Sequence, residues 1–215
     1  MPAVIFDLDT ALIAAPPVPS MFFDFMERRH MVRARHRWQQ RLFFLRYLAR
    51  YRSEISHYNL AWLGGMRRAD VDVFAEGFVK RKLVDMIRPA MWDRIDAHRA
   101  QGDTLILIGQ SPQFMLEPLG REIRIEWLRG TVCAYLGNLY LDKPPTRLMR
   151  GEEKATVVGK LLADLGADPQ ETIAYLRDES DLPLMNLVGN PILVSPKRAM
   201  LKLARQRDWR VLDGG

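Results

Sequence analysis

Short strand-like runs that alternate with helical segments constrain the fold of this 215-residue chain more than any other feature. The runs are residues 4–6, 103–108, 172–176, 191–194 and 210–212. Each has the length of a buried strand, and strands that alternate with helices are connected by crossovers and form a mostly parallel sheet. The sequence therefore predicts an α/β fold.

The stretch between the first two predicted strands is helical from Ser20 to about Gly102. It follows a proline-rich cluster at residues 14–19, and Gly64 and Gly65 divide it. Further helices are predicted at 69–87 and 89–99. One helix carries an apolar stripe at helical spacing, formed by Trp38, Leu42, Leu45 and Leu48. We therefore expect a core of residues 1–15 and 100–215, with residues 16–99 inserted as a helical cap.

The remainder of the chain supplies the other predicted elements of the core. Ser111 and Pro112 are typical of an N-cap followed by proline at the first helical position, which begins a helix to about Leu119. Residues 123–141 are predicted to form a β-hairpin region with a turn at 136–138. Further helices are predicted at 152–165, 182–187 and 196–206.

Charge is concentrated in one part of the chain. The formal net charge is +6, and residues 28–52 contain nine arginines and no acidic residue. One interpretation is a solvated helix face. The other is attraction of an anionic partner, which could be a phosphorylated substrate, nucleic acid or an acidic membrane surface. No recognised nucleic-acid-binding module is present, which makes nucleic acid the weaker alternative.

Several classes of protein are excluded by composition. The single cysteine, Cys133, rules out an intramolecular disulfide framework and a CxxC zinc site, and we expect a buried apolar side chain there. The histidines show no HExxH pattern, and we expect surface or cap positions for His30, His36, His57 and His98. No run approaches the roughly 18–20 apolar residues of a membrane span, and no targeting segment is evident, so we expect a cytoplasmic protein.

Polar residues follow the ends of three predicted strands. They are Asp7 and Asp9, then Gly109, Gln110 and Ser111, then Arg177 and Asp178. Ligands of open α/β sheets bind at the carboxyl ends of the strands. Lys154, at the start of a predicted helix, is expected to point toward the same edge. Carboxylates as close together as Asp7 and Asp9 usually have a cation or a lysine nearby.

Four segments, in this order, carry a resemblance to a known family. They are Ile5–Leu12, Ser111–Leu119, Gly151–Lys154, and Ala174–Pro183 with Val188–Pro191. The first resembles the hhhDxDx[T/S] motif of the haloacid dehalogenase superfamily, and the others resemble later motifs of its phosphoserine-phosphatase-like branch. The resemblance implies a Rossmann-like three-layer core with a helical cap inserted after the first strand. It also implies hydrolysis of a small phosphorylated substrate through an aspartyl-phosphate.

The resemblance also implies roles for individual residues. Asp7 corresponds to the nucleophile, Asp9 to the general acid and then base, and Lys154 to the cation that balances the phosphoryl charge. Phosphate contacts would come from Gly109, Gln110, Ser111 and Lys154. A Mg²⁺ site would draw on Asp7, Asp9, Asp178 and Asp181.

Three residues depart from the family pattern. Ala11 and Gly109 stand where the family has Ser or Thr, and Arg177 stands where the family has an aspartate that binds the metal. We expect the Arg177 guanidinium to pair with Asp7, Asp9 and Asp181 and to compete with the metal. Alternatively, Arg177 turns away and Asp178 or water completes the site.

Two functions therefore remain open. One is a magnesium-dependent phosphomonoesterase, for which the three departures predict a low efficiency. The other is a catalytically impaired relative that acts as a binding or regulatory module through its pocket or basic cap.

Overall fold

A computed structural model describes residues 2–13 and 17–213. Within these residues, six strands form a parallel sheet in the order β3-β2-β1-β6-β7-β8, and β4 and β5 form an antiparallel hairpin. The α/β class with a mostly parallel sheet is confirmed. The strands are β1 (Ala3–Asp7), β2 (Thr104–Pro112), β3 (Trp127–Thr131), β4 (Tyr135–Leu136), β5 (Leu139–Tyr140), β6 (Ile173–Leu176), β7 (Asn190–Val194) and β8 (Arg210–Leu212).

Helices precede or follow most strands of the sheet, and a group of them separates β1 from β2. They are α1 (Val18–Glu27), α2 (Ala34–Tyr51), α3 (Ile55–Tyr58), α4 (Arg68–Phe78), α5 (Pro89–Ala100), α6 (Gln113–Ile123), α7 (Gly151–Asp164), α8 (Leu182–Leu187) and α9 (Arg198–Gln206). Short 3-10 or π turns occupy Leu8–Leu12, Arg52–Glu54, Ala61–Leu63, Val79–Leu83, Val84–Met86 and Glu179–Asp181. Among the described residues, none of these helices is long and apolar enough to cross a membrane.

The sheet lies between two layers of helices because its side chains alternate between two apolar clusters. On β1, Val4 and Phe6 belong to one cluster and Ala3 and Ile5 to the other. The first cluster includes buried residues of α1, α4, α5 and α6, and the second includes buried residues of α7, α8 and α9. The core therefore has the three layers expected of a Rossmann-like fold.

Helix α5 lies against the sheet. Its buried His98 hydrogen-bonds the hydroxyl of Tyr175 on β6 at 2.9 Å and the carboxylate of Asp103 at 2.7 Å. The His98 ring also lies 6.2 Å from the ring of Phe6 on β1. These contacts bind the last helix before β2 to the central strands.

Three predictions about local structure are wrong or incomplete. Strand β2 continues through Ser111, so Ser111 does not cap α6; Pro112 is the cap residue, without a side-chain hydrogen bond. Residues 127–131 form an edge strand parallel to β2, and only 135–140 form the hairpin. The helix predicted at 69–87 ends at Phe78, and tighter turns continue from there. Residues 14–16 of the proline-rich cluster, at the predicted core–cap boundary, lie outside the described residues.

Burial corrects one further prediction and supports another. The stripe of Trp38, Leu42, Leu45 and Leu48 is exposed, because α2 buries His36 and Phe43 instead. His36 is buried but caps α2, because its Nδ1 atom accepts the backbone N–H of Arg33 at 2.9 Å. His98 is buried against Tyr175 and Asp103, so the surface or cap position predicted for it is wrong. Cys133 is buried as predicted, and burial raises the pKa of its thiol to about 12.

Candidate active site

The sheet brings the polar residues of the strand ends to one edge. Asp7 is the last residue of β1, which pairs in parallel with both β2 and β6. Ser111 lies near the end of β2, and Arg177 directly follows β6. Lys154 is in the first turn of α7, and α7 packs on the apolar cluster that contains Ala3 and Ile5. Because alternate residues of a strand point to the same side of the sheet, the side chain of Asp7 lies on the same side as those of Ala3 and Ile5. Asp7 therefore faces α7.

A buried lysine joins two buried carboxylates at the centre of this edge. The Nζ atom of Lys154 donates to Asp7 Oδ2 at 2.7 Å and to Asp181 Oδ1 at 2.6 Å. Asp7 and Asp181 are fully buried, and Lys154 is 2% exposed. The other Asp7 oxygen, Oδ1, accepts the backbone N–H of Thr10 at 2.9 Å. Both oxygens of Asp7 are therefore oriented by hydrogen bonds.

Burial and the charge of the ion-pair partner have opposite effects on the pKa values of Asp7 and Lys154. Burial raises the pKa of Asp7 to about 6, and this outweighs the lowering by Lys154; the charges of Asp181 and Asp9 raise it further. For Lys154, burial alone lowers the pKa, but the charges of Asp181 and Asp7 outweigh burial and hold the pKa above its usual value. At pH 7 Lys154 is therefore a cation beside a carboxylate that is mostly ionised.

Asp9 is held by the end of β2. Its Oδ2 atom accepts the backbone N–H of Ser111 at 2.8 Å, and its Oδ1 atom accepts the Ser111 hydroxyl. Burial raises the pKa of Asp9, although the Ser111 hydrogen bonds act to lower it. Gly109 makes room for this arrangement, because a Cβ atom there would lie 2.7 Å from Asp9 Oδ2.

The turn after β6 positions Asp181. Asp178 is the cap residue of the turn at Glu179–Asp181. Its backbone carbonyl accepts the Asp181 N–H at 2.9 Å, and its own N–H donates to Asp181 Oδ2 at 3.2 Å. Thr10 Oγ1 donates to the same oxygen at 3.2 Å. Asp181 is the cap residue of α8 but makes no side-chain capping bond, because its oxygens serve Lys154, Thr10 and the turn.

Arg177 does not take the place expected for its guanidinium. Among the ion pairs of the described residues, none joins Arg177 to Asp7, Asp9 or Asp181. Lys154 stands between Asp7 and Asp181 instead. The Arg177 side chain lines the neighbouring cavity, and its Nε atom is buried without a hydrogen-bond partner.

The residues at this edge do not fit the magnesium site that the family resemblance implies. Within residues 2–13 and 17–213, no group of three or more His, Cys, Asp or Glu side chains is placed to hold a metal ion. Asp178 is engaged in its own turn and Asp9 is bonded to Ser111. Arg177 adds a cation where a third carboxylate would be needed.

A cavity of about 560 Å³ opens onto the cluster. Its floor includes Asp9, Thr10 and Lys154, and further cations, Arg150, Arg177 and Lys197, line it. Its other wall comes from the helical segment between β1 and β2. The residues of that wall are Ser20, Phe23, Gln40, Ser56, His57, Asn59, Leu60 and Trp62. We did not predict these residues, since they lie on α1, α2 and the short turns around α3, where no motif marks them.

A series of hydrogen bonds connects the core side of the cavity to the wall formed by the helical segment. Gln110 contacts His57 through Nε2 and Nδ1 at 2.8 Å, and its Oε1 atom accepts Arg150 Nη1 at 3.3 Å. Arg150 also pairs with Glu54 at 2.9 Å. Burial and the Arg150 charge lower the pKa of His57. Gln110, predicted as a phosphate contact, therefore has protein partners on both sides.

The fold is that of a known class of hydrolase. The family model of the haloacid dehalogenase-like hydrolases matches residues 4–186. The chain belongs to this family, as the resemblance in the sequence indicated. Phosphatases of the family generally use Mg²⁺.

Individual relatives point to the phosphatase branch. A histidinol-phosphatase of Neisseria meningitidis is 27% identical over 165 residues, which cover 73% of this chain and 72% of that protein. A phosphoserine phosphatase of Mycobacterium tuberculosis is 23% identical over 154 residues, which cover 72% of this chain but only half of that protein. A structure from Bordetella pertussis, of unknown function, covers 100% of both chains with 22% identity and a TM-score of 0.80. The names of the relatives support the prediction of a phosphatase.

Proposed function

We propose that the chain is a phosphomonoester hydrolase that acts through an aspartyl-phosphate on Asp7. The observation that carries this proposal is the position of Lys154, whose Nζ atom contacts both Asp7 and Asp181 beside the cavity. A buried ammonium at a carboxylate nucleophile offsets the charge that a phosphoryl group brings to it. The alternative, a binding module without catalysis, receives no support from the comparisons.

In the first step, an oxygen of Asp7 attacks phosphorus, and the bond from phosphorus to the leaving-group oxygen breaks. The Thr10 N–H and Lys154 orient the carboxylate, so that attack needs little reorganisation. The product is an acyl phosphate on Asp7 and a free alcohol. Because the pKa of Asp7 is about 6, the nucleophile is mostly ionised at neutral pH.

Asp9 is the proposed proton donor and acceptor. Burial raises its pKa, which favours the protonated form that can transfer a proton to the leaving oxygen. The resulting carboxylate then takes a proton from water as the water oxygen attacks phosphorus, which releases inorganic phosphate and restores Asp7. Ser111 holds the Asp9 carboxyl group beside the cavity through both oxygens, and one of these two hydrogen bonds is exchanged for the substrate oxygen during proton transfer.

The cavity suggests the class of substrate. Lys154, Arg150, Arg177 and Lys197 favour an anionic group at the core side. The opposite wall combines the rings of Phe23 and Trp62 with polar groups such as Asn59. A volume of about 560 Å³ suits a small phosphomonoester with both apolar and hydrogen-bonding parts. The names of the two phosphatase relatives denote substrates of this size class.

We retain a division into core and cap as part of the proposal, with one changed boundary. Helix α5 contacts the sheet through His98 and Tyr175, so we assign it to the core. The proposed cap then ends near Arg88 instead of at residue 99. Its role is to close the cavity over the substrate and exclude water.

The test is phosphate release from p-nitrophenyl phosphate by the native chain, Asp7→Asn and Asp164→Asn, with and without Mg²⁺. Asp164 is exposed at the end of α7 and makes the matched control. We expect Asp7→Asn to abolish release and Asp164→Asn to leave it unchanged. Rapid quenching and borohydride reduction should convert a phosphorylated Asp7 to homoserine, detectable by mass spectrometry. Turnover by Asp7→Asn at the native rate would overturn the proposal.

A further inference from the structure

Helix α2 turns an apolar strip toward solvent. Trp38 is 60% exposed, Leu45 80% and Leu48 55%, and Leu42 is also exposed. At 3.6 residues per turn, Trp38, Leu42 and Leu45 lie within about 60° of one another around the helix. We call Trp38, Leu42, Leu45 and Leu48 the outer face of α2. Apolar side chains clustered in this way mark an interaction surface.

Arginines flank the outer face on both sides. Helical spacing places Arg37 and Arg41 along one edge and Arg35 and Arg46 along the other. Arg37 pairs with Glu27 and Arg46 with Asp142, whereas none of the ion pairs among the described residues involves Arg35 or Arg41. The guanidinium of Arg41 lies over the Trp38 ring, 5.7 Å from its centroid. Because residues 28–52 hold nine arginines and no acid, the surroundings of the strip are positive.

The inner side of α2 is already occupied. Phe43 packs with Ile55 and Ala61, and Gln40 lines the cavity. The helix is therefore held in the fold by one side, and the outer face extends along about 15 Å of the other side, at 1.5 Å per residue.

We propose that the outer face of α2 docks on the surface of an anionic lipid bilayer, with the helix parallel to the membrane plane. A central apolar strip contains tryptophan and is bordered by arginines, of which Arg37 and Arg46 pair with acids while Arg35 and Arg41 appear in none of the ion pairs of the described residues. Such a strip is complementary to acyl chains below negative headgroups. Nucleic acid would leave the exposed leucines without a partner. A second copy of the chain would bring arginine against arginine across a symmetric contact.

Vesicle sedimentation with the full chain tests this proposal. We expect binding to vesicles of equal parts phosphatidylcholine and phosphatidylglycerol, weakening with added salt, and no binding to pure phosphatidylcholine. Leu45→Glu should weaken binding about tenfold or more, because it removes an inserted leucine and adds a repelled charge. Val73→Glu is the matched control, since Val73 is 69% exposed on α4, away from the outer face.

The arginine contribution is tested in the same assay. Arg41→Gln should weaken binding about fivefold, whereas Arg205→Gln, at an exposed position of α9, should leave it unchanged. Asp7→Asn should bind vesicles like the native chain, so failure of the proposed chemistry and failure of docking are separable.

An environment-sensitive dye reports the contact directly. Attached to Leu45→Cys it should shift to the blue on anionic vesicles, and attached to Val73→Cys it should not; Cys133 is buried and will not compete for label. Equal loss of binding in Leu45→Glu and Val73→Glu would overturn the proposal. The proposal would also be overturned if the chain self-associated in solution and Leu45→Glu abolished that association. Binding of an RNA duplex by a chain that binds neither kind of vesicle would overturn it as well.

Discussion

Gly109 and the carboxylate of Asp9 share one small space: a Cβ atom on Gly109 would lie only 2.7 Å from Asp9 Oδ2 and 3.2 Å from the Cβ of Leu8. The absence of a side chain at residue 109 is therefore what lets Asp9 reach Ser111. The family pattern has a hydroxyl residue at this position, and from the sequence its loss reads as one missing phosphate contact. The structure shows that the same change also makes room for the proposed acid.

Gly109→Ser should therefore lower the activity instead of restoring a family feature. The new side chain displaces Asp9, and we expect kcat/KM for phosphate release to fall at least about tenfold, because a misplaced proton donor loses most of its effect. Gly77→Ala is the control, since a Cβ atom on Gly77 meets nothing within 4 Å. A rise in kcat/KM for Gly109→Ser would show that the hydroxyl matters more than the room for Asp9.

Lys154→Met should destabilise the protein strongly. The substitution leaves two fully buried carboxylates, Asp7 and Asp181, without their common cation, and removal of one partner of a buried pair costs about 3–5 kcal/mol of the free energy of unfolding. Urea denaturation followed by circular dichroism measures this loss. Lys160→Met, at an exposed position of the same helix, should change stability by less than about 0.5 kcal/mol. Equal urea midpoints for Lys154→Met and Lys160→Met would contradict a stabilising role for the buried ion pairs of Lys154 with Asp7 and Asp181.

The pH dependence of activity should report the raised pKa of Asp7. Only the ionised carboxylate attacks phosphorus, and protonation below its pKa of about 6 removes the nucleophile. We expect log kcat/KM to fall by about one per pH unit below about pH 6, and to fall again at higher pH where Asp9 loses the proton that it donates. An ordinary aspartate would give this break near pH 4 instead, as expected from its unperturbed pKa of about 3.9. The measurement is a kcat/KM profile, with circular dichroism to show that the fold persists.

Arg177→Asp should create a metal site where the native residues form a poor one. The change removes a cation and adds a carboxylate near Asp7 and Asp181, so we expect Mg²⁺ affinity to rise at least about tenfold in calorimetric titration. Arg177→Gln, which removes the charge without adding a ligand, separates the two effects and should give a smaller gain. Native affinity for Mg²⁺ equal to that of Arg177→Asp would show that Arg177 does not impair the site.

The strand ends were the most predictable part of the site. A run of apolar residues that stops at Asp7 is a local signal, and parallel strands bring such ends to one edge. The contacts of Asp9 with Ser111 and of Lys154 with Asp7 cross 102 and 147 residues of chain, so no local pattern could specify them. The N-cap predicted for Ser111 failed for the same reason: a distant carboxylate keeps the residue in the strand.

The spacing of apolar residues along α2 also predicted only part of how this helix packs. It correctly groups Trp38, Leu42 and Leu45 on one side of the helix, but it carries no information on which side faces the core. In the structure, the side of α2 that carries Phe43 and His36 is the one that packs against the rest of the protein.

By itself, the sequence determined the alternation of strands and helices, the parallel sheet and the carboxylates at its edge, because these follow from local periodicity and strand length. Only the tertiary structure decided that Lys154 and not Arg177 stands between Asp7 and Asp181, that Asp9 turns to Ser111, and that α2 leaves its larger apolar side in solvent. Each of these depends on which distant groups compete for the same buried space.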